Sequence, residues 1–302
     1  MDDQLVHDEA WHACDGLPQD VSLDFIYLDP PYGVGTRMTA RTAPGEHRGR
    51  GGKQSGPVAY ADTEPVGDLV AMIVRAAKSI QARMNPSASF AVHLDHRAVH
   101  ETKVALDGIF GSTAFLGEII WIPGNGARGR SLSMTHQTIL LFARSNADRK
   151  RARWNVEHPL LRESFAKTSL AMHFIKVDEQ GRRFRERVIA GKSYRYFADE
   201  GRKLGSVWAD IPAMRANTPL NKEGTGYPTQ KPEPLLERLI VATTEPGDVV
   251  ADFMCGSGTT LAVAARLGRR FVGGDREALA IETTSRRLTS QGARFTLVSA
   301  RL

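Results

Sequence analysis

The chain has 302 residues, 41% of them apolar, and a formal net charge of +6. That length holds one large α/β domain with a smaller insertion, and the apolar share excludes wholesale disorder. Two cysteines, Cys14 and Cys255, are too few for a disulfide scaffold and supply no CxxC pair for a zinc ribbon. The first ten residues are acidic without an apolar stretch, and no apolar run approaches the ~20 residues of a membrane span, so a reducing cytoplasm fits.

Taken in order, residues 25–28 (Phe-Ile-Tyr-Leu) predict a buried strand that ends in Asp29-Pro30-Pro31-Tyr32. Residues 33–62 are dense in Gly, Arg and Thr and have neither a 2- nor a 3.6-residue period, so they are expected to be loop. From Val66, the residues Leu69, Val70, Ile73, Ala76, Ala77, Ile80 and Met84 share one helical face. Strands are expected over 89–94, 118–122 and 138–142, with a helix marked by Val99, Leu106 and Phe110. His93, Asp95, His96 and His100 have the composition of a metal site, but Asp95 is better explained as the N-cap of a helix that carries His96 and His100 on one face. No metal is expected.

Residues 144–225 are charged, with short apolar runs and interleaved Arg and aromatic residues. The α/β rhythm resumes with helices over 232–243, 259–267 and 277–288 and strands over 248–253, 270–274 and 295–298. Strands alternating with helices imply a doubly wound, mainly parallel sheet covered on both faces. The expected division is therefore 1–143, an inserted module at 144–225, and 226–302.

Two constellations carry chemistry. Asp252-Phe253-Met254-Cys255-Gly256-Ser257-Gly258-Thr259 follows a strand and opens a helix. Glycine permits the tight turn and close ligand approach, and the helix start offers free N–H groups. Asp275 ends the next strand, where an acid can accept hydrogen bonds from ribose hydroxyls. The pattern points to a nucleoside-bearing cofactor; a turn that needs glycine only for packing is the alternative. Leu261 stands where the third glycine of a dinucleotide fingerprint would be.

The second constellation is Asp29-Pro30-Pro31-Tyr32. Its two prolines fix φ and hold the Asp29 carboxylate and the Pro30 carbonyl in one relation. An amine on a nucleobase is a poor nucleophile because its lone pair is delocalised. Two acceptors, one per N–H, would draw that nitrogen towards tetrahedral geometry and stabilise the developing charge. Tyr32 would stack on a base swung out of its duplex. Taken alone, the tetrad could also be a plain turn.

With both motifs in this order, followed by Asp275, the chain resembles the amino DNA methyltransferases, in the arrangement called beta. The resemblance implies a Rossmann-like fold, S-adenosylmethionine as cofactor and double-stranded DNA as substrate. It assigns Asp29, Pro30, Pro31 and Tyr32 to catalysis. Asp252, Phe253, Cys255, Gly256, Ser257, Gly258, Thr259 and Asp275 fall to the cofactor, with Thr229 and Lys231 near its methionine end and Asp29 beside it. Asp8, preceded by His7 where the family often has glycine, would lie near the adenine. Residues 144–225 take the place of the target-recognition region. There Arg151, Arg153, Arg183 and Arg185 would contact DNA, although a solvated surface with acidic partners has the same composition. Arg37, Arg41 and Arg48 follow the tetrad in a loop that would close over DNA or serve as a passive linker. A homodimer and a separate restriction endonuclease are suggested by the resemblance alone.

Asp29 favours transfer to N6 of adenine over N4 of cytosine, since the cytosine branch often begins its tetrad with serine. Neither cysteine follows a proline, which excludes the Pro-Cys nucleophile of C5-cytosine methylation. A non-catalytic specificity subunit would be expected to have lost one motif. Methylation of RNA or of a protein amide uses related tetrads that often begin with asparagine.

Overall fold

The computed structural model describes residues 2–40, 56–124, 126–127, 130–214 and 222–299. The apolar runs at 25–28 and 139–142 lack the alternation of a strand with one wet face, and both are buried in the middle of a nine-stranded sheet. From edge to edge the strands are Val207–Trp208, Phe115–Trp121, Gln137–Ala143, Met84–Leu94, Leu23–Leu28, Val249–Asp252, Arg270–Asp275, Gln4–His7 and Thr296–Ser299. All neighbours run parallel except the two ladders made by Gln137–Ala143. The sheet is thus the mainly parallel α/β type expected.

Alternate residues of each strand face opposite sides. Ile26, Leu28, Phe90, Val92, Leu140 and Phe142 pack in one core with the helices Ala10–Asp15, Val66–Arg83 and Val99–Phe110. The helix Val66–Arg83 buries Leu69, Ile73, Ala76, Ala77 and Ile80, the face its spacing predicted. Glu233–Thr243, Thr259–Arg266 and Ala278–Ser290 pack in series as a second helical group. Leu261 of that group presses on Gly273, whose alternation turns it away from the first core.

Asp29, Asp252, Asp275, Asp8 and Asp95 all stand where parallel strands end, along one edge of the sheet. Gln137 opens the antiparallel strand opposite Trp121, so it stands on that edge too. Leu23–Leu28 connects onward to one side of the sheet and Val249–Asp252 to the other. The two are themselves neighbours, with Phe25 opposite Val250 and Ile26 opposite Ala251. A crevice opens at such a switch of direction.

Three expectations change. Residues 33–62 are not loop throughout: Thr36–Thr39 and Val58–Asp62 pair antiparallel, two strands too short for their alternation to stand out in a glycine-rich stretch. The helix after His93 begins at Val99, with Ala98 as its N-cap. Asp95 instead closes a turn, accepting the Arg97 amide at 2.9 Å, so His96 lies outside the helix that carries His100. Gln4–His7 and Ala10–Asp15 were not foreseen, since four and six residues are too few to show a period.

Trp154–Gly205 forms a separate small unit. Its sheet joins Lys176–Val177, Arg183–Ile189 and Lys192–Phe197, and Arg162–Glu163 pairs with Arg202–Lys203. Phe165 and Phe174 stack with centroids 4.5 Å apart, and Phe184 meets Phe197 at 5.9 Å.

In the large unit, Phe90 stacks on Phe110 at 5.1 Å, and Phe110 on Phe142 at 5.4 Å. Truncating the first ring leaves a cavity that rigid sheet and helix cannot close. Phe90→Ala is expected to lose about 3–5 kcal/mol of stability, read as a shift of the denaturant midpoint.

Candidate active site

The apolar strand Leu23–Leu28 delivers Asp29 to the sheet edge, and the two prolines carry the chain out over it. Asp29 uses both carboxylate oxygens: Tyr32 donates its hydroxyl to Oδ1 at 2.8 Å, and the Lys231 ammonium pairs with Oδ2. Lys231 is itself buried and lies 5.2 Å above the Tyr32 ring centroid. Burial pushes the Tyr32 phenol well above its ordinary value, with the nearby Asp29 charge adding to the effect, so it keeps the proton it donates. The tyrosine expected only to stack thus also anchors the carboxylate. Downstream, buried Asp62 clasps the turn, accepting the Gly33 amide on Oδ1 at 2.5 Å and the Gly35 amide on its carbonyl at 2.8 Å.

The glycine bend needs its glycines for two different reasons. Gly256 has φ +49°, and a Cβ there would lie 3.2 Å from the Tyr227 ring. Gly258 has φ +71°, and a Cβ would lie 2.7 Å from the Thr284 side chain. The Gly256 amide donates to Asp275 Oδ2 at 2.9 Å and the Glu277 amide to Oδ1 at 3.0 Å. Asp252 accepts the Met254 amide at 3.1 Å and the Thr260 hydroxyl at 2.5 Å. Burial pushes the Asp252 carboxyl up to about 8 and that of Asp275 up to about 6. Buried Arg287 holds the bend from behind through the Ser257 carbonyl, Thr259 Oγ1 and Glu233. Thr259 in turn donates to the Lys231 carbonyl at 3.1 Å.

A single cavity of about 460 Å³ joins the two motifs. The whole tetrad, Thr229 and Lys231 line it, with Asp275 and every predicted residue of the bend except Gly258. Gly258 acts through its backbone as the N-cap of Thr259–Arg266. Asp8 does not reach the cavity lining; its carboxylate accepts the Glu9 amide at 2.7 Å and pairs with His12 at 3.2 Å. Unforeseen lining residues are Tyr60, Tyr227, Glu277, Trp121 and Gln137. Tyr60 could have been found from the short apolar run Val58-Ala59-Tyr60-Ala61. Its hydroxyl meets Thr229 Oγ1 at 2.9 Å and its ring stacks with Tyr227 at 6.4 Å.

The arginines expected on DNA divide. Arg37 is exposed on its strand, and Arg41 and Arg48 lie outside the described residues. Arg151 reaches Asp148 at 3.4 Å, and Arg153 pairs with Asp248. Arg183 donates to the carbonyls of Phe174 at 2.8 Å and Leu170 at 2.6 Å. Arg185 lies among the Phe165, Phe174 and Tyr196 rings, 5.0–5.3 Å from their centroids. Both are thus engaged within the small unit, Arg183 by backbone carbonyls and Arg185 by aromatic rings, on the same face of Arg183–Ile189. Farther along that face, Arg187, Ile189, Lys192 and Tyr194 are exposed. Among the described residues, no group of three or more His, Cys, Asp or Glu could hold a metal ion, and no helix is long and apolar enough to cross a membrane.

A family model described as DNA methylase matches residues 23–286, and the chain belongs to that family. Its members are enzymes that take a methyl group from S-adenosylmethionine. The type II methyltransferase M2.LlaDCHI of Lactococcus lactis subsp. cremoris is 26% identical across 97% of this chain and 91% of its own length. The type II methyltransferase M2.DpnII of Streptococcus pneumoniae is 41% identical over 93 residues, which span 31% of this chain and only 33% of that protein. Among solved structures, the M1.HpyAVI complex with S-adenosylmethionine superposes with a TM-score of 0.54 at 18% identity, covering 94% of this chain and 98% of the other. The cytosine-N4-specific PvuII DNA methyltransferase gives a TM-score of 0.58 at 14% identity, with 98% and 95% covered. These two are likenesses of fold.

The residues fit such a cofactor. The cavity volume falls in the range of small-molecule sites. Gly256 leaves the bend without a side chain, and Asp275 is oriented by two backbone amides with lone pairs to spare for ribose hydroxyls. Burial raises the Asp275 carboxyl from its ordinary 3.8 to about 6. Its ionisation therefore costs folding stability that accumulates as pH climbs through that window. Hydroxyl donors favour the ionised form. S-adenosylmethionine affinity is accordingly expected to fall as pH drops below about 6 and to flatten in Asp275→Asn, as measured by calorimetric titration across pH.

Proposed function

We propose that the protein methylates N6 of adenine in double-stranded DNA, acting on a base turned out of the duplex. The observation that carries this reading is the shared cavity of Asp29 and the Gly256 bend. Asp275, Glu277 and the bend would hold S-adenosylmethionine, which would supply the methyl group, its bond to the sulfonium sulfur breaking as the bond to the amine nitrogen forms. Asp29 and the Pro30 carbonyl accept the two N–H bonds of the amine and localise its lone pair. Each Asp29 oxygen has one partner and a further lone pair for this purpose. Lys231 supplies the counter-charge to Asp29. Once methylated, the nitrogen releases one proton.

Adenine is preferred because the tetrad begins with Asp29. Digesting methylated DNA to nucleosides tests this: N6-methyladenine is expected, and N4-methylcytosine as sole product would overturn it. Asp29→Ala is expected to lower turnover by at least about 10²–10³-fold while S-adenosylmethionine still binds, measured with labelled cofactor and by calorimetry.

For the duplex, we assign contact to the end of the hairpin Arg183–Ile189 and Lys192–Phe197 rather than to its base. A two-stranded ribbon fits the major groove. Ala190 and Gly191, at φ +48° and +78°, make the tight turn between Ile189 and Lys192. Arg187 and Lys192 are exposed there and have no side-chain partner among the described residues, beside exposed Tyr194. Replacing both cations by alanine is expected to weaken binding to all duplex sequences and to reduce the slope of log K against log salt by about two. Fluorescence anisotropy on labelled duplexes at several salt concentrations measures it.

A further inference from the structure

Behind Asp29 lies a polar chain that the reaction described above does not use. His93 is fully buried, and its Nδ1 lies 2.6 Å from the Tyr27 hydroxyl. Trp121 meets the imidazole edge-on at 5.5 Å. Gln137, opposite Trp121 in the sheet, also interacts with His93 through its side chain. Among the described residues, neither His93 Nε2 nor Gln137 Oε1 closes a hydrogen bond of ordinary geometry, and both atoms are buried. Tyr27, Trp121 and Gln137 line the same cavity as Asp29 and Tyr32.

The hydrogens of this chain have one arrangement that satisfies it. Tyr27 is deeply buried and stays protonated. Its hydroxyl has one side-chain partner, so it donates to Nδ1. Burial, aided by the Lys231 charge, keeps His93 neutral. The ring proton must then sit on Nε2, and the acceptor that would satisfy it is the buried Gln137 Oε1, which has no other hydrogen-bond partner among the described residues. With its oxygen turned to His93, the amide presents its –NH₂ to the cavity. The opposite tautomer would flip the amide and leave the Tyr27 hydrogen buried without an acceptor, a costly arrangement.

We infer that Gln137 reads the target base: its amide N–H donates to the bare ring nitrogen beside the exocyclic amine. The inference rests on the reading of the cavity as the seat of an extruded base. Adenine N1 and cytosine N3 are acceptors at that place. Guanine N1 and thymine N3 carry hydrogens and would meet donor with donor. Gln137 thus selects adenine and cytosine, whose amine stands beside an unprotonated ring nitrogen, while Asp29 and Pro30 act on the amine itself. Tyr27 and His93 are positioning residues that fix which end of the amide faces inward.

The test uses the full-length protein, unmethylated plasmid DNA and labelled S-adenosylmethionine. It compares wild type, Gln137→Ala, Gln137→Glu, Tyr27→Phe and the Tyr27→Phe/Gln137→Ala double variant. Wild-type transfer checks the underlying reading, and the inference is read from ratios between proteins that bind the cofactor equally. Gln137→Ala should lower kcat/KM for DNA by about 10–100-fold with the cofactor Kd changed less than about twofold. Gln137→Glu, which offers only acceptors, should be at least as impaired. Tyr27→Phe should cost about 3–10-fold alone and nothing further in the Gln137→Ala background, because it acts through that amide. Wild-type efficiency in Gln137→Ala or Gln137→Glu would overturn the assignment, as would a Tyr27→Phe effect of equal size with and without Gln137.

Discussion

The site depends on one pairing of strands. Leu23–Leu28 and Val249–Asp252 lie side by side, parallel, so two loops from distant parts of the chain leave the sheet at the same edge. A shift in that register would turn each buried side chain to the wrong face of the sheet. The ion pair between Asp29 and Lys231, 202 residues apart in sequence, closes the same gap from above. Everything chemical in the molecule is arranged around this junction: the Asp-Pro-Pro corner on one side, the glycine bend on the other, and Thr259 and Arg287 bracing the bend.

Charge serves differently in the two units. In the large unit, carboxylates are buried and oriented by backbone amides. Desolvation raises Asp252 and Asp275, and both retain capacity to accept further donors. In the small unit, guanidinium groups lie over aromatic rings. Arg182 lies 3.9 Å from the Phe197 centroid and Arg195 lies 4.8 Å from that of Phe184, while Arg185 is wedged among three rings. A unit of this size buries little apolar surface, and flat cations stacked on rings extend what it has.

Much of this was legible in the residues themselves. The Asp29 tetrad, the glycine bend and Asp275 are local patterns whose side chains dictate their own geometry. Most strands of the nine-stranded sheet and the longer helices declared themselves through apolar runs or a 3.6-residue spacing. Asp8 rested on a weaker signal, a motif whose glycine this chain has replaced with His7, and it stands next to the cavity-lining Glu9. Tyr60 was hidden inside a glycine-rich stretch, and Gln137 looked like no more than the flank of an apolar strand. The arginine pattern at 182–187 was visible, but composition cannot distinguish a cation stacked on an internal ring from one facing a phosphate. That distinction came from the two-residue alternation of a strand with only one end covered.

Cys255 sits in the middle of the cavity-lining glycine bend, where a thiol invites suspicion of reactivity. Burial, reinforced by the Asp275 and Asp252 carboxylates, drives its ionisation well above the ordinary range. Cys14 is sealed in the core and pushed up to about 12. Since alkylating agents and peroxides attack thiolates, the native fold is intrinsically quiet towards both. A cysteine introduced at an exposed position, such as the hairpin end, would then be the one site a maleimide dye labels, with neither natural cysteine removed.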